Sequence, residues 1–465
     1  MALKVIILAG GSGTRMASKQ PKVLHRLGGK YLLEHVLDAV LPLKPAQIFI
    51  VYGYMGATVL KALQHRPEPI TWVEQKERLG TGHAVQQVLP FLQHPQDQTL
   101  ILCGDVPLIS TETLAHLAHT TRTDQLGIVT ANVPYPYGFG RILRDEYNQV
   151  QGIAEEKDAT ELQKKITEIN TGIYCVPVRF LQQWLPKLSN ANAQNEYYLT
   201  EIVSFACSEH IPIIVTRPKQ VEEIYGINTR AELAKLERIY QRWQAHRLMF
   251  AGVTLYDPER LDVRGEVVPA QDCVLDVNVI LAGTVELGEG GYIGPNCYLE
   301  NVRLGKNCVI KANTVIENAV LEEGCQVGPF ARIRPGTVLH QEVHIGNFVE
   351  VKNSEIGANS KANHLTYLGD ASIGAQVNIG AGVITCNYDG VNKHRTTIED
   401  EVFIGSDVQL IAPVTVGRGA TIGAGTTLVR DAPPEKLTLG RSKQVTVEGW
   451  RRPVPQAKKS KQSKE

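Results

Sequence analysis

The chain has 465 residues, 43% of them hydrophobic and 21% charged, enough for more than one buried core. Its 48 basic and 48 acidic side chains cancel to a net charge of +0. That excludes a global pull on nucleic acid or an anionic membrane, so any handling of anions must be local.

The opening segment MALKVIILAGG has only Val5 to Ala9 as an apolar run, too short for a signal peptide or a bilayer span. Over residues 1–228, short apolar runs alternate with helical patterns. KVIILA (4–9), QIFIVYG (47–53) and TLILCGD (99–105) are continuous apolar stretches, as expected of strands buried on both faces of a parallel sheet. LLEHVLDAVLPL (32–43) and TGHAVQQVLPFL (81–92) read as the intervening helices, giving a Rossmann-like, doubly wound α/β domain. Ligands on such sheets sit beyond the carboxyl ends of the strands, where both the glycine loop after Ala9 and Cys103-Gly104-Asp105 fall.

That loop, LAGGSGTRMASKQPK (8–22), is neither common phosphate loop. Gly13 is followed by Thr14-Arg15 rather than Lys-Ser/Thr, and the third glycine of a dinucleotide fingerprint is absent. Gly10, Gly11 and Gly13 still let backbone N–H groups approach phosphate oxygens. Arg15 supplies a fork and Lys22 a point charge. A glycine-rich turn with solvated charges is the rival reading; the preceding strand and the two cations favour phosphate.

Residues 229–249 have helical spacing, with Leu233, Leu236, Ile239, Tyr240 and Trp243 on one side. Thr229 and Glu232 form a capping-box pattern, so one long helix is expected to join two domains. From about 252 to 430 an apolar residue recurs every six positions, most cleanly at Ile398, Ile404, Leu410, Val416, Ile422 and Leu428. Earlier phases run Leu304, Ile310, Ile316, then Leu321 to Val351, then Ile356, Ala362 and Leu368, with one-residue slips between Leu299 and Leu304 and between Ile316 and Leu321. This is the pattern of a β-helix built from hexapeptide turns. At about 4.8 Å per coil, roughly ten coils make a rod near 48 Å long. The basic segment 448–465 reads as a tail whose last ten residues are solvated and disordered. The eight cysteines, Cys103, Cys175, Cys207, Cys273, Cys297, Cys308, Cys325 and Cys386, show no C-x-x-C or zinc spacing. They read as free thiols of a reducing compartment, and a soluble cytoplasmic protein is expected.

The motif L-A-G-G-x-G-T-R-M with Pro21-Lys22 resembles the signature of sugar-1-phosphate nucleotidyltransferases. The resemblance continues through Gln75, Leu79-Gly80-Thr81-Gly82-His83-Ala84, Cys103-Gly104-Asp105-Val106-Pro107-Leu108, Gly138-Phe139-Gly140-Arg141-Ile142, Glu155, Glu168-Ile169-Asn170-Thr171-Gly172 and Gly226-Ile227-Asn228. Joined to a hexapeptide solenoid, the whole is similar to the bacterial bifunctional N-acetylglucosamine-1-phosphate uridyltransferase / glucosamine-1-phosphate N-acetyltransferase family. The match covers nearly everything except the tail, and in that family the β-helix is left-handed and parallel.

The resemblance implies UDP-N-acetylglucosamine synthesis for peptidoglycan and lipopolysaccharide. Acetyl-CoA acetylates glucosamine-1-phosphate; UMP from UTP then passes to N-acetylglucosamine-1-phosphate with release of pyrophosphate. It divides the chain into a nucleotidyltransferase domain (1–228), a linker helix (229–250), an acetyltransferase β-helix (251–447) and a tail (448–465). Leu8, Ala9, Gly10, Gly11, Gln75, Gly80 and Thr81 would hold uracil and ribose, with Gly104 alongside. Gly140, Glu155 and Asn170 would hold the sugar, and Asp105 and Asn228 would ligate Mg through oxygen. Arg15 and Lys22 would neutralise the phosphates without a general base, and His83 reads as structural.

In the solenoid, Arg332-Ile333-Arg334-Pro335-Gly336, Glu350-Val351-Lys352, the stretch 363–370 and CNYDGVNK (386–393) interrupt the repeat, the last as a looped-out insertion. His364 would be the general base, oriented or polarised by Glu350. Arg334, Lys352 and Tyr367 would grip the sugar phosphate, and donors near Asn387, Tyr388 and Ser406 would face the oxyanion. Asn378, Ala381, Ala424 and Arg441 match family positions for substrate or acetyl-CoA. A homotrimer with the site between subunits is implied, with no nucleic-acid or membrane partner. The alternative is a single-activity nucleotidyltransferase carrying a structural, trimerising solenoid.

Overall fold

The computed structural model describes residues 2–11 and 13–453, so most of the basic tail lies outside the described residues. The chain forms two compact units, residues 1–301 and 302–465. The division falls inside the strand Tyr298–Leu304, so the first unit contains the α/β region, the long helix and the opening coils.

In the first unit, the strand Leu3–Ala9 is buried on both faces. Val5 and Ile7 join one core with Leu33, Val36 and Leu102, while Ile6 joins the other with Phe49, Val51 and Ile101. That two-sided burial is why the run is continuous rather than alternating. The sheet order is Ile213–Thr216, Leu126–Asn132, Glu168–Pro177, Gln98–Cys103, Leu3–Ala9, Gln47–Tyr52, Ile70–Glu74. Leu3–Ala9 pairs in parallel with both of its neighbours. The parallel pattern breaks at Glu168–Pro177, which runs antiparallel to both strands beside it. Its register slips between Asn170 and Tyr174, around Gly172 with φ 75°. A bulge of this kind re-aims the neighbouring side chains, and Asn170 is one of them.

The helix Arg230–Phe250 has the expected capping box. Glu232 N donates to Thr229 Oγ1 at 3.2 Å, and Thr229 N donates to Glu232 Oε2 at 2.8 Å. Its Leu236 and Tyr240 are buried against Met16, Leu27, Leu32 and Leu108. Farther along, Gln241 exchanges hydrogen bonds with the backbone of Val263, donating at 2.8 Å and accepting at 2.7 Å. The helix is thereby fixed to the α/β layer at one end and to the opening coils at the other.

The second unit is a left-handed parallel β-helix. Ladders stack equivalent residues of successive coils, Val351 on Leu368, Ile379 on Ile404 and Ile398 on Val416. Every apolar position of the six-residue pattern from Leu304 to Leu428 is buried. A second inward position escaped that reading: the residue two before each, such as Val402 before Ile404, Val408 before Leu410 and Ala420 before Ile422, is buried as well. The slip between Ile316 and Leu321 lies in one unbroken strand, Val315–Leu321, where Asn318 takes φ 47° and turns the corner with one residue fewer. Residues 387–395 leave the coil between the strands Ile384–Cys386 and Thr396–Ile398. Among the described residues no helix is long and apolar enough to cross a membrane, and all eight cysteines are free.

Candidate functional sites

In the first unit the strand ends and their loops enclose a cavity of about 550 Å³. Leu8, Ala9, Gly10, Gly11, Lys22, Gln75, Gly80, Thr81 and Asp105 all line it. Gly104 is tied to its wall, donating its N–H to Leu8 O at 2.9 Å. The loop geometry explains the glycines. A Cβ at Gly10 would lie 2.9 Å from Gln75 Oε1, and a Cβ at Gly13, whose φ is 59°, would lie 2.8 Å from Lys22 Cβ. Gln75 is buried and donates to Gly80 O at 3.0 Å, with His83 Nδ1 at 3.2 Å. His83 therefore braces Gln75.

Lys22 Nζ donates to both Asp105 Oδ2 and Asn228 Oδ1, the latter at 3.0 Å. The two oxygens expected to hold a metal thus converge on a single cationic point. One carboxylate and one amide oxygen are the hard donors Mg accepts while keeping other positions for water and phosphate, so the residues fit the ion. Among the described residues there is no cluster of three or more His, Cys, Asp or Glu groups suited to a metal. Arg15 stands exposed on the short helix Thr14–Met16, outside the cavity lining.

Gly140, Glu155 and Asn170 form a second cluster. Asn170 N donates to Gly140 O at 2.8 Å, and a Cβ on Gly140 would lie 3.4 Å from Glu155 Oε2. Thr200 donates to Glu155 at 2.9 Å and Tyr174 to Asn170 at 3.1 Å. Burial raises the Glu155 carboxyl, with Asp158 and Glu196 adding to the effect against the Thr200 hydrogen bond. Val23, Arg78, Ala84, Cys103 and Glu196 also line the cavity. Sequence reasoning missed Glu196 because it comes from a loop far along the chain, where Tyr197 N donates to Leu79 O at 2.7 Å. Burial, with Asp105 nearby, pushes the Cys103 thiol up to about 12, so it is no thiolate nucleophile at neutral pH.

In the second unit, two rows of residues emerge. On one face Glu350 stands in register with Tyr367, and Lys352 with Gly369. Arg334 Nη1 donates to Glu350 Oε1 at 2.7 Å; the pair holds the guanidinium above its ordinary range. Tyr367 lies across Gly369, where a Cβ would come within 2.6 Å of its Cζ. Lys352 Nζ is 3.8 Å from Asp370 Oδ2, and Lys352 holds neighbouring Lys393 below the ordinary lysine range. Burial pushes the Asp370 carboxyl up, but hydrogen bonds from Asn353 and Asn387 and the charges of Lys352 and Lys393 outweigh it and hold it low. Lys393 comes from the insertion, which closes through a bridge between Tyr388 and Lys393. Asn387 is buried against Asp370, to which it donates; Tyr388 is exposed and donates to Gly390 O.

The other row follows one corner of the coil. Asn347, His364, Ala381, Ser406 and Ala424 each immediately precede a left-handed turn residue, at Phe348, Leu365, Gly382, Asp407 and Gly425. Asn347 and His364 are register partners; Asp407 N donates to Ala381 O and Gly425 N to Ser406 O. Arg441 closes the row, its Cδ 3.5 Å from a Cβ built on Gly425, and Asn378 stands in register between Lys361 and Phe403. His364 is exposed, with Nδ1 3.2 Å from Asn347 Oδ1. An amide oxygen only accepts, so the tautomer that makes this bond carries its proton on Nδ1 and presents Nε2 as an acceptor. The expected pairing of Glu350 with His364 is replaced by Glu350 with Arg334 and His364 with Asn347. The spacing of 17 residues between Asn347 and His364, one coil, was the available signal.

A cavity at the strand ends of an α/β domain, joined in one chain to a hexapeptide coil, is the architecture of a nucleotidyltransferase combined with a hexapeptide transferase. Family profiles agree: residues 5–169 match the MobA-like NTP transferase domain, 263–367 the GMPPB C-terminal domain, and 395–430 the bacterial transferase hexapeptide (six repeats). Proteins described as "Bifunctional protein GlmU" match across their length. The one from Methylococcus capsulatus (strain ATCC 33009 / NCIMB 11132 / Bath) is 54% identical over 462 residues, 99% of each chain. That from Azoarcus sp. (strain BH72) is 53% identical over 454 residues, 98% of this chain and 100% of its own. That from Francisella philomiragia subsp. philomiragia is likewise 53% identical over 454 residues. The chain belongs to this bacterial GlmU family of bifunctional uridyltransferase/acetyltransferase enzymes.

Proposed function

We propose that residues 251–447 transfer acetyl from acetyl-CoA to the amine of glucosamine-1-phosphate, and that residues 1–228 then join the product to UMP from UTP, the helix 229–250 linking the two. The observation that carries the acetyl-transfer assignment is the corner row that puts His364 in line with Ala381, Ser406 and Ala424. His364 Nε2 takes the proton from the sugar amine, whose nitrogen attacks the thioester carbon. The C–S bond breaks, and the proton held on His364 passes to the departing sulfur, so coenzyme A leaves as its thiol. Arg334, Lys352, Tyr367 and Lys393 hold the sugar phosphate; Asn387, Tyr388 and Ser406 face the oxyanion, and Asn378 and Arg441 complete the substrate contacts. Glu350 acts by positioning Arg334.

In the first unit, Leu8–Gly11, Gln75, Gly80 and Thr81 hold the nucleoside, and Gly140, Glu155 and Asn170 the sugar. The sugar phosphate is already anionic and attacks the α-phosphorus directly, so alignment and charge neutralisation by Lys22 and Arg15 supply the catalysis. Mg held by Asp105 and Asn228 would add a further positive charge at the triphosphate. Exposed Phe330, Phe348 and Leu365, at 51%, 57% and 63% exposure, lie beside His364 along its corner and support a homotrimer with the acetyl site at the seam. The free cysteines and the family support a cytoplasmic setting.

The test is thiol release from acetyl-CoA on adding glucosamine-1-phosphate without nucleotide, comparing the native chain with His364→Ala. Release by the native chain, cut at least about 10²-fold in the variant, is the expected result. No release from a folded native chain would reduce the coil to a scaffold and leave only uridyl transfer.

A further inference from the structure

The point where Asp105 Oδ2 and Asn228 Oδ1 converge is filled by the ammonium of Lys22. The Lys22 and Asp105 side chains are only 15% and 16% exposed, so an unpaired Asp105 carboxylate would be poorly hydrated there. A dication and an ammonium at the same pair of oxygens repel each other, so occupancy by one excludes the other. Lys22 also has somewhere to go: it lines the cavity beside the Gly10 and Gly11 backbone, its stem resting against Gly13, and its charge is mobile on a flexible chain.

We propose that Lys22 is a placeholder for the metal. Its ammonium occupies the cation position until a metal–triphosphate complex arrives, then moves onto phosphate oxygens, which replace the partners it gives up. Free metal, which must displace the ammonium without a phosphate to receive it, therefore binds weakly, and the metal enters with the nucleotide. This rests on the reading of Asp105 and Asn228 as ligands.

The experiment is Mn²⁺ titration of the full chain without nucleotide, following free Mn²⁺ by electron paramagnetic resonance, with acetyl transfer as the check of folding. Lys22→Met keeps the apolar stem and removes the charge. Expected is Mn²⁺ binding about tenfold tighter than in the native chain, although uridyl transfer falls, and loss of that gain in Lys22→Met/Asp105→Asn. A residue that merely supported the site would weaken metal binding when replaced. Unchanged or weaker Mn²⁺ binding in Lys22→Met, while Asp105→Asn still abolishes Mn²⁺ uptake in the presence of UTP, overturns the placeholder and keeps the ligand assignment. A gain that survives Asp105→Asn overturns both.

Discussion

Replacing Gly369 with alanine addresses the acetyl site without removing any group that touches substrate. A Cβ there would lie 2.6 Å from Tyr367 Cζ and 2.8 Å from Cε1, and closer still to the hydroxyl. Ordinary van der Waals contact begins at 3.4 Å, so the ring must move by about 1 Å, a displacement able to cost about 10²-fold in rate. The backbone has no reason to move. Gly369 is not in the left-handed region, and its N–H donates to Thr385 Oγ1 at 2.7 Å, a bond indifferent to a methyl group. The obstacle is the end of a flexible side chain, so the coil should stay folded. The assay is acetyl-CoA turnover with glucosamine-1-phosphate, beside uridyl transfer to supplied N-acetylglucosamine-1-phosphate. The expected result is acetyl transfer lower by about 10- to 100-fold with KM for the sugar phosphate raised, and uridyl transfer unchanged. Full acetyl transfer would show that Tyr367 does not hold substrate; equal loss of both activities would show a folding defect and refute the geometric argument.

Two further expectations concern stability. Thr229→Ala removes the acceptor of Glu232 N and should cost about 1 kcal/mol, seen as a lower urea midpoint at unchanged slope. His340 sits between Glu355, at 2.8 Å, and Glu322, at 3.2 Å; the Glu355 hydrogen bond, against partial burial, raises its folded-state pKa. A raised histidine contributes stability that is fully present below its unfolded pKa near 6.5 and is lost as pH rises through the folded value. These groups are a third or more exposed, so His340→Gln should cost only about 0.5 kcal/mol at pH 5.5 and nothing measurable at pH 9, by urea titration at both values. A loss that grows with pH would show the sign to be wrong.

Much of the first site was legible because its motifs are local. The strand–loop segment Leu8 to Gly11 carries its glycines and its apolar run in consecutive residues, and the loop closes on a cavity at the strand's carboxyl end. Lys22 was visible as a cation near that loop, but not as the partner of Asp105 and Asn228, which are 83 and 206 residues away. Glu196 was invisible for the same reason.

By itself the sequence determined the classes of structure. Two-sided burial writes continuous apolar runs, a helix writes its cap, and a solenoid repeats its inward residue every six positions, all within a few neighbours along the chain. Tertiary structure decided what depends on stacking distant segments. The antiparallel Glu168–Pro177 comes from sheet order, not from its own residues. The pairing of Glu350 with Arg334 instead of His364 is set one coil apart, as is the support of His364 by Asn347. A coil of a β-helix fixes which residues become neighbours, and its length is not a property of any single motif.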